Sequence, residues 1–187
     1  MPKHPLESPQ SVAFTAFMSA YQDMVFTTAV RLVADAAEAE NIAQDVFLRA
    51  YLQFHTLRES ATAGGWLKTV ARHLSLNHLS RHKKRWRLFS DYANEDDAVR
   101  DIDERMSVSD TLGQDVDTQS AHSRLEKALA QLPYSERVPL VLFHFEDMSY
   151  QEIAKELHCS LGKVKTDIHR GRLKLAGLLT QVDQSAT

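Results

Sequence analysis

The stretch that most limits what this chain can fold into is its middle, DYANEDDAVRDIDERMSVSDTLGQDVDTQS (residues 91–120). It holds ten acidic residues against Arg100 and Arg105, has few large apolar side chains, and shows no sustained helical stripe. Such a segment cannot bury enough apolar surface to offset the entropy of ordering it. It reads as a flexible acidic linker, and the chain as two domains rather than one large core. The whole chain carries a formal net charge of −3, yet the linker accounts for −8 and leaves the remainder at +5. Beside the plain reading as a solvated spacer stands a second one. An acidic segment can mimic nucleic-acid phosphate and occupy a basic channel until displaced.

On both sides of the linker the apolar residues recur at spacings of three, four and seven, and no stretch alternates long enough for a strand. The expected fold class is all-α, with a helical bundle over residues 11–90 and a four-helix domain over residues 121–180, flanked by tails at 1–10 and 181–187. The first helix should run over residues 11–34, with Phe14, Phe17, Tyr21, Val25 and Leu32 on one stripe. Asp35 and Glu38 form a capping-box pattern for the second, which carries Ile42, Val46, Phe47 and Tyr51 inward and ends near Leu57. RESATAGG (residues 58–65) is a loop by composition. A third helix, residues 66–88, then buries Trp66, Leu67, Val70, Leu74 and Leu79, closing a small bundle.

Past the linker, Leu125, Leu129 and Leu132 mark a helix stopped by Pro133. The next spans YSERVPLVLFHFED, with Pro139 placed close to its first turn. Ser149 with Glu152 is a second capping box, and Ser160 caps the last helix. There Val164, Ile168 and Leu175 face inward, while Lys163, Lys165, Thr166, His169, Arg170 and Arg172 face out. The domain thus ends in a helix-turn-helix, whose second helix puts its first residues against base edges in the major groove. Cationic and hydroxyl side chains on the outer face suit that task.

The stretch from Trp66 to Ser90 holds Lys68, Arg72, Arg81, Lys83, Lys84, Arg85 and Arg87 and no acidic residue. A cationic helix of this density repels itself unless a polyanion neutralises it, so nucleic acid is the leading partner. Trp86 and Phe89 offer stacking faces to unpaired bases, whereas Trp66 lies on the apolar stripe and is expected in the core. His78 and His82 stand four apart, and His158 adjoins Cys159, but no carboxylate or second thiol completes either set. No metal or other cofactor is expected. The sequence contains no P-loop, dinucleotide turn or nucleophile elbow, so the chain is not expected to be an enzyme. Its one cysteine, Cys159, permits no disulfide framework and is expected to pack as a small hydrophobe in the turn. With neither a spanning apolar run nor a signal-peptide core, the expected setting is cytoplasmic, without membrane insertion.

Two stretches resemble one family. DAAEAENIAQDVFLRAY (residues 35–51) looks like the polymerase-binding helix of the extracytoplasmic-function class of bacterial sigma factors. LPYSERVPLVLFHFEDMSYQEIAKELHCSLGKVKTDIHRGRLKL (residues 132–175) is similar to their helix-turn-helix. The resemblance implies a subunit that binds core RNA polymerase, directs it to specific promoters and helps to melt promoter DNA. By it, Asn41, Gln44, Asp45, Leu48 and Arg49 would dock on the clamp of the largest polymerase subunit. The loop with Arg58, Ser60 and Thr62, and the helix with Trp66, Lys68, Arg72, His73, Asn77, Arg81, Lys83, Lys84 and Arg85, would open the promoter and hold a flipped base. Near the flap of the second-largest subunit, Ser160, Lys163, Lys165, Thr166, Asp167, His169, Arg170 and Arg172 would read the upstream element. Members of the class are often restrained by an anti-sigma protein, a further implied partner.

The chain departs from the family pattern in places. TAGGW stands where an aromatic usually precedes the tryptophan, which implies a more flexible loop. His73 and Asn77 replace a more common asparagine and aspartate. GKVKTDIHRGR differs from the usual GTVKSRLxRAR at Lys163, Asp167 and Gly171, so an unusual promoter preference is expected, with Asp167 able to accept from a cytosine amino group. The rival readings are a stand-alone helix-turn-helix regulator that binds DNA by itself, and an interaction protein whose N-terminal bundle binds a protein ligand.

Overall fold

The computed structural model describes residues 9–90 and 121–185, and the side chains of residues 10–81 and 123–180 within them. The predicted linker at 91–120 lies outside the described residues, as do residues 1–8 and 186–187 of the predicted tails, whereas residues 181–185, expected in the C-terminal tail, are helical. Among the described residues all regular structure is α-helix, as the apolar periodicity implies. The chain divides into two compact units, residues 1–80 and residues 81–187.

In the first unit, α1 (Pro9–Val33) and α2 (Ala36–Leu52) form an antiparallel hairpin. Ala34 turns the chain at φ 55°, and Asp35 Oδ1 accepts from the Glu38 amide at 3.0 Å to cap α2. Only this half of the expected capping box is seen, because Glu38 Oε2 lies 3.4 Å from Nδ1 of His78. The second helix also ends earlier than the stripe suggests. Gln53 leaves helical geometry at φ −115°, and the one-turn α3 (Phe54–Leu57) completes the segment expected to be continuous. Leu57 and Phe54 are buried there.

The fourth helix, α4 (Ala63–Ser90), starts three residues before the expected Trp66. Its two opening glycines are helical, so the loop shortens to residues 58–62 and is not lengthened by them. Gly64 has a packing reason: a Cβ there would stand 3.2 Å from Cε1 of Tyr21. The buried line of α4 is Ala63, Leu67, Ala71, Ser75 and Leu79. Trp66, Val70 and Leu74, expected inside, are half-buried at its edge, because each precedes a core residue by one position and so stands about 100° round the helix from the buried line.

In the second unit, α5 (Ala121–Ala130), α6 (Tyr134–His144) and α7 (Tyr150–Glu156) all pack on α8 (Leu161–Ser185). Pro133 stands at the N-cap of α6, but Pro139 is the sixth residue of that helix rather than in its first turn. Leu129, Leu132, Val138, Leu140, Val141, Leu142, Ile153, Val164 and Ile168 form the core. Gly171 is explained by packing, since a Cβ there would meet the Glu136 carbonyl oxygen at 3.1 Å and Leu140 Cδ1 at 3.3 Å. A helix-weakening residue thus lets α8 approach α6 closely.

Candidate functional site

On α2 the inward residues are Ala39, Ile42, Val46, Phe47 and Ala50. What remains outward follows from the helical period. Asn41, Gln44, Asp45, Leu48 and Arg49 are all exposed and share that outer face. Tyr51 was expected inside, yet it is 48% exposed, and Leu48 and Leu52 are exposed at 65% and 78%. Tyr51 instead meets Phe14 edge-on at 5.0 Å, and Phe14 also contacts Phe54 at 5.1 Å.

The consequence is an apolar groove of about 640 Å³ along α1 and α2. Its apolar lining includes Phe14, Met18, Phe26, Phe47, Leu48 and Tyr51, and its rim Asp23, Glu40 and Gln44. Sequence reasoning found Gln44 and Leu48 but missed the α1 wall. The signal was there: Phe14, Met18, Gln22 and Phe26 stand four apart, a second stripe beside the one that carries Val25 and Leu32 inward.

The second surface is built on the start of α4. Residues 58–62 are tied internally, with Arg58 donating from Nε and Nη2 to Glu59 Oε1 at 3.1 and 2.8 Å. Ser60 Oγ lies 2.9 Å from Thr62 Oγ1 and accepts from the Thr62 amide at 3.2 Å. Trp66 is half-buried at the edge of this turn, and His73, Asn77 and Arg81 are exposed farther along the same helical face. Lys68 and Arg72 are half-buried on the opposite flank of the buried line. Lys83, Lys84 and Arg85 continue α4, and their side chains, like those of Trp86 and Phe89, lie outside the described residues.

The third surface is the helix-turn-helix. Ser149 caps α7 in a complete capping box, accepting from the Glu152 amide at 3.3 Å while its own amide donates to Glu152 Oε2 at 2.8 Å. The turn closes with the Cys159 amide on Ala154 O at 3.0 Å and the His158 amide on Lys155 O at 3.3 Å, a Schellman arrangement. Such a motif needs a left-handed residue, and His158 supplies it at φ 51°. Cys159, expected to be buried, is half-buried as a free thiol.

Ser160 Oγ accepts from the Lys163 amide at 3.2 Å and starts α8. Lys163, Lys165, Thr166, His169, Arg170 and Arg172 are exposed along it. Asp167 is different: it is buried, and its Oδ2 meets Lys163 Nζ at 2.9 Å. The carboxylate therefore restrains a neighbouring cation instead of standing outward for a base. Among the described residues no group of three or more His, Cys, Asp or Glu side chains is arranged to hold a metal ion. No described helix is long and apolar enough to cross a membrane.

Two family models match the chain, one in each unit. The family model for sigma-70 region 2 matches residues 17–85, and that for sigma-70, region 4 matches residues 122–175. The chain is 29% identical over 168 residues to the RNA polymerase sigma-H factor of Pseudomonas aeruginosa, covering 86% of this chain and 82% of that one. It is 27% identical over 161 residues to the ECF RNA polymerase sigma factor SigW of Bacillus subtilis, covering 86% and 85%. A solved structure, the sigma factor RpoE in complex with the anti-sigma factor NepR from Bartonella quintana, matches in fold with a TM-score of 0.51 at 20% identity, covering 89% of this chain and 96% of that chain. The chain belongs to the sigma-70 family of RNA polymerase sigma factors, in its extracytoplasmic-function class.

Proposed function

We infer that this protein is a transcription initiation factor that binds core RNA polymerase, directs it to particular promoters and helps to melt the promoter DNA, with no catalysis of its own. The observation that carries the reading is the division of labour between its surfaces. One unit exposes an apolar groove beside Asn41, Gln44, Asp45, Leu48 and Arg49, and the other exposes cations along a capped helix-turn-helix. An apolar groove with a polar rim suits a protein helix, and a cationic helix suits DNA.

In this scheme the α2 face docks on the clamp of the largest polymerase subunit. The turn at residues 58–62 with Trp66, His73, Asn77 and Arg81 opens the promoter and holds an unpaired base, as stacking and a cationic surface can offset the cost of unpairing. The α8 face reads the upstream element, with its unit lying near the flap of the second-largest subunit. Neither unit needs to bind tightly alone, because polymerase holds both and the tether raises their effective concentration. An anti-sigma protein is a partner suited to cover these surfaces when the factor is idle, as NepR partners RpoE of Bartonella quintana in their solved complex.

The test is transcription in vitro with sigma-free core polymerase on a library of random promoter fragments, beside a gel shift with the protein alone. Start-site-specific transcripts that require both components are expected. A tight shift without polymerase, and no transcript with it, would make the chain a free-standing DNA-binding regulator instead.

A further inference from the structure

A second cluster in the C-terminal unit lies apart from the reading positions at the start of α8. Phe143 and His144 close α6, Tyr150 opens α7, and Arg172 lies on α8. Nε of Arg172 donates to Nε2 of His144 at 3.1 Å. The guanidinium carbon also stands 5.3 Å from the centroid of the Phe143 ring, within cation–π reach. That ring is backed by Tyr150, centroid to centroid 4.7 Å. One exposed arginine is therefore anchored by its Nε edge and by one face. Among the described residues its terminal amino groups have no hydrogen-bond partner, so its outer pair of donors is presented to solvent.

For Nε2 to accept, His144 must be neutral and carry its proton on Nδ1, since an imidazolium has no acceptor. Burial, and after it the charge of Arg172, hold the His144 pKa below its ordinary 6.5. The ring is then neutral at pH 7. Of the groups facing it, Arg172 of α8 is the charged one, and Phe143 beside it carries Tyr150 of α7. Arg172 shares a helical face with Lys165 and His169, which precede it by seven and three residues. It stands eleven residues beyond Leu161, where α8 begins, or about 16 Å along the axis. A major groove is about 12 Å wide, and the start of the helix reads its base edges. A side chain this far along reaches the flanking sugar-phosphate chain.

We propose that His144 is a positioning residue for DNA binding: by accepting from Nε it fixes the Arg172 guanidinium, whose ligand is a phosphate of the DNA backbone beside the upstream element. This rests on α8 being the DNA-facing helix of a sigma factor, and the experiment separates the two ideas. Holoenzyme made from the full chain and core polymerase is titrated, at several salt concentrations, onto duplexes whose upstream element was selected from a random library. Arg172→Ala should weaken binding and flatten the log–log salt dependence by about one unit, the mark of one lost phosphate contact. His144→Leu keeps the cation but frees it, so the expected loss is about threefold to tenfold with the salt slope unchanged. His144→Gln keeps an acceptor and should restore most of that loss.

The double variant His144→Leu/Arg172→Ala should bind no more weakly than Arg172→Ala alone, because the two residues act as one device. As pH falls through the His144 pKa, protonation removes the acceptor and sets two cations together. Wild-type affinity should then drop relative to His144→Gln holoenzyme. The 15N shifts of the imidazole in the labelled free chain give a reading without DNA, and the Nδ1–H tautomer is expected. Additive losses in the double variant, an unprotonated Nδ1, or a normal affinity for His144→Leu beside a weakened Arg172→Ala would each overturn the positioning role alone. If alanine at Lys165, Thr166, Arg170 and Arg172 leaves binding unchanged, α8 does not face DNA, and the underlying reading falls with the proposal.

Discussion

The two units bury and expose opposite things. In the first, the helix hairpin seals Val25, Ala29, Leu32, Val46 and Leu67 inside but leaves Leu48, Tyr51 and Leu52 in solvent beside an apolar groove. In the second, exposed apolar side chains are few along α8, while charge has moved inward: Glu136, Arg137, Glu146 and Asp167 are all buried. Surface apolar area is what a protein partner covers, and surface cations are what DNA neutralises. The contrast shows that each unit's interior is chosen partly by what its exterior must leave free. Lys174 pairs with buried Glu136 at 2.9 Å, and Lys163 with buried Asp167, so the core of the second unit also sets which cations face outward.

The largest expected effect breaks the second unit and spares the first. Arg137 is fully buried, and its Nη1 donates to the Leu132 carbonyl at 2.8 Å. Arg137→Ala leaves a cavity and an unsatisfied carbonyl, a loss of about 3–5 kcal/mol. Calorimetry of the full chain should show one transition moved strongly down and another held. A single transition shifted as a whole would mean that the units do not melt separately, and the contrast between their interiors would lose its thermodynamic meaning.

Next comes a change that should break function in the first unit without touching its stability. Leu48 is exposed and lines the groove, so Leu48→Asp removes nothing from the core. It sets a charge where an apolar contact is proposed, and holoenzyme assembly should weaken by about tenfold to a hundredfold, measured by competition for core polymerase. The melting temperature should stay put. Unchanged assembly would remove the groove from the polymerase interface.

Much of this was legible beforehand because helices write their burial into the sequence at a fixed period. The all-α class, the caps at Asp35, Ser149 and Ser160, and the outward set on α2 follow from spacing and side-chain chemistry alone. What escaped depended on contacts between elements. That Tyr51 turns out to meet Phe14, that Glu38 leaves its own helix for His78, and that Asp167 sinks toward Lys163 are decided by neighbours distant along the chain or by the depth of a helix in its unit. Gly64 reads in the sequence as loop flexibility and Gly171 as a departure from the family pattern, yet each marks a place where another element comes too close for a methyl group. The α1 wall of the groove was missed because a helix apolar on two faces shows one stripe clearly and hides the other within it.

The smallest effect compares the two units at their corners. Each turns after a helix on a non-glycine residue in the left-handed region, Ala34 at φ 55° and His158 at φ 51°. A side chain there costs about 1–2 kcal/mol, part of which glycine would return through the greater freedom of the unfolded chain. His158 is exposed, so His158→Gly loses little packing and should stabilise the second unit by about 0.5–1 kcal/mol. Ala34 is buried at 5% exposure, and its methyl offsets the backbone relief by about 0.8 kcal/mol. Ala34→Gly should therefore leave the first unit nearly unchanged. Thermal melts of the two variants, read on the separate transitions, check the pair. Equal stabilisation at both corners would mean that the Ala34 methyl contributes nothing to its core. No gain at His158 would mean that its side chain makes a contact worth as much as the strain it carries, and would turn attention to what that histidine meets when the helix-turn-helix sits on DNA.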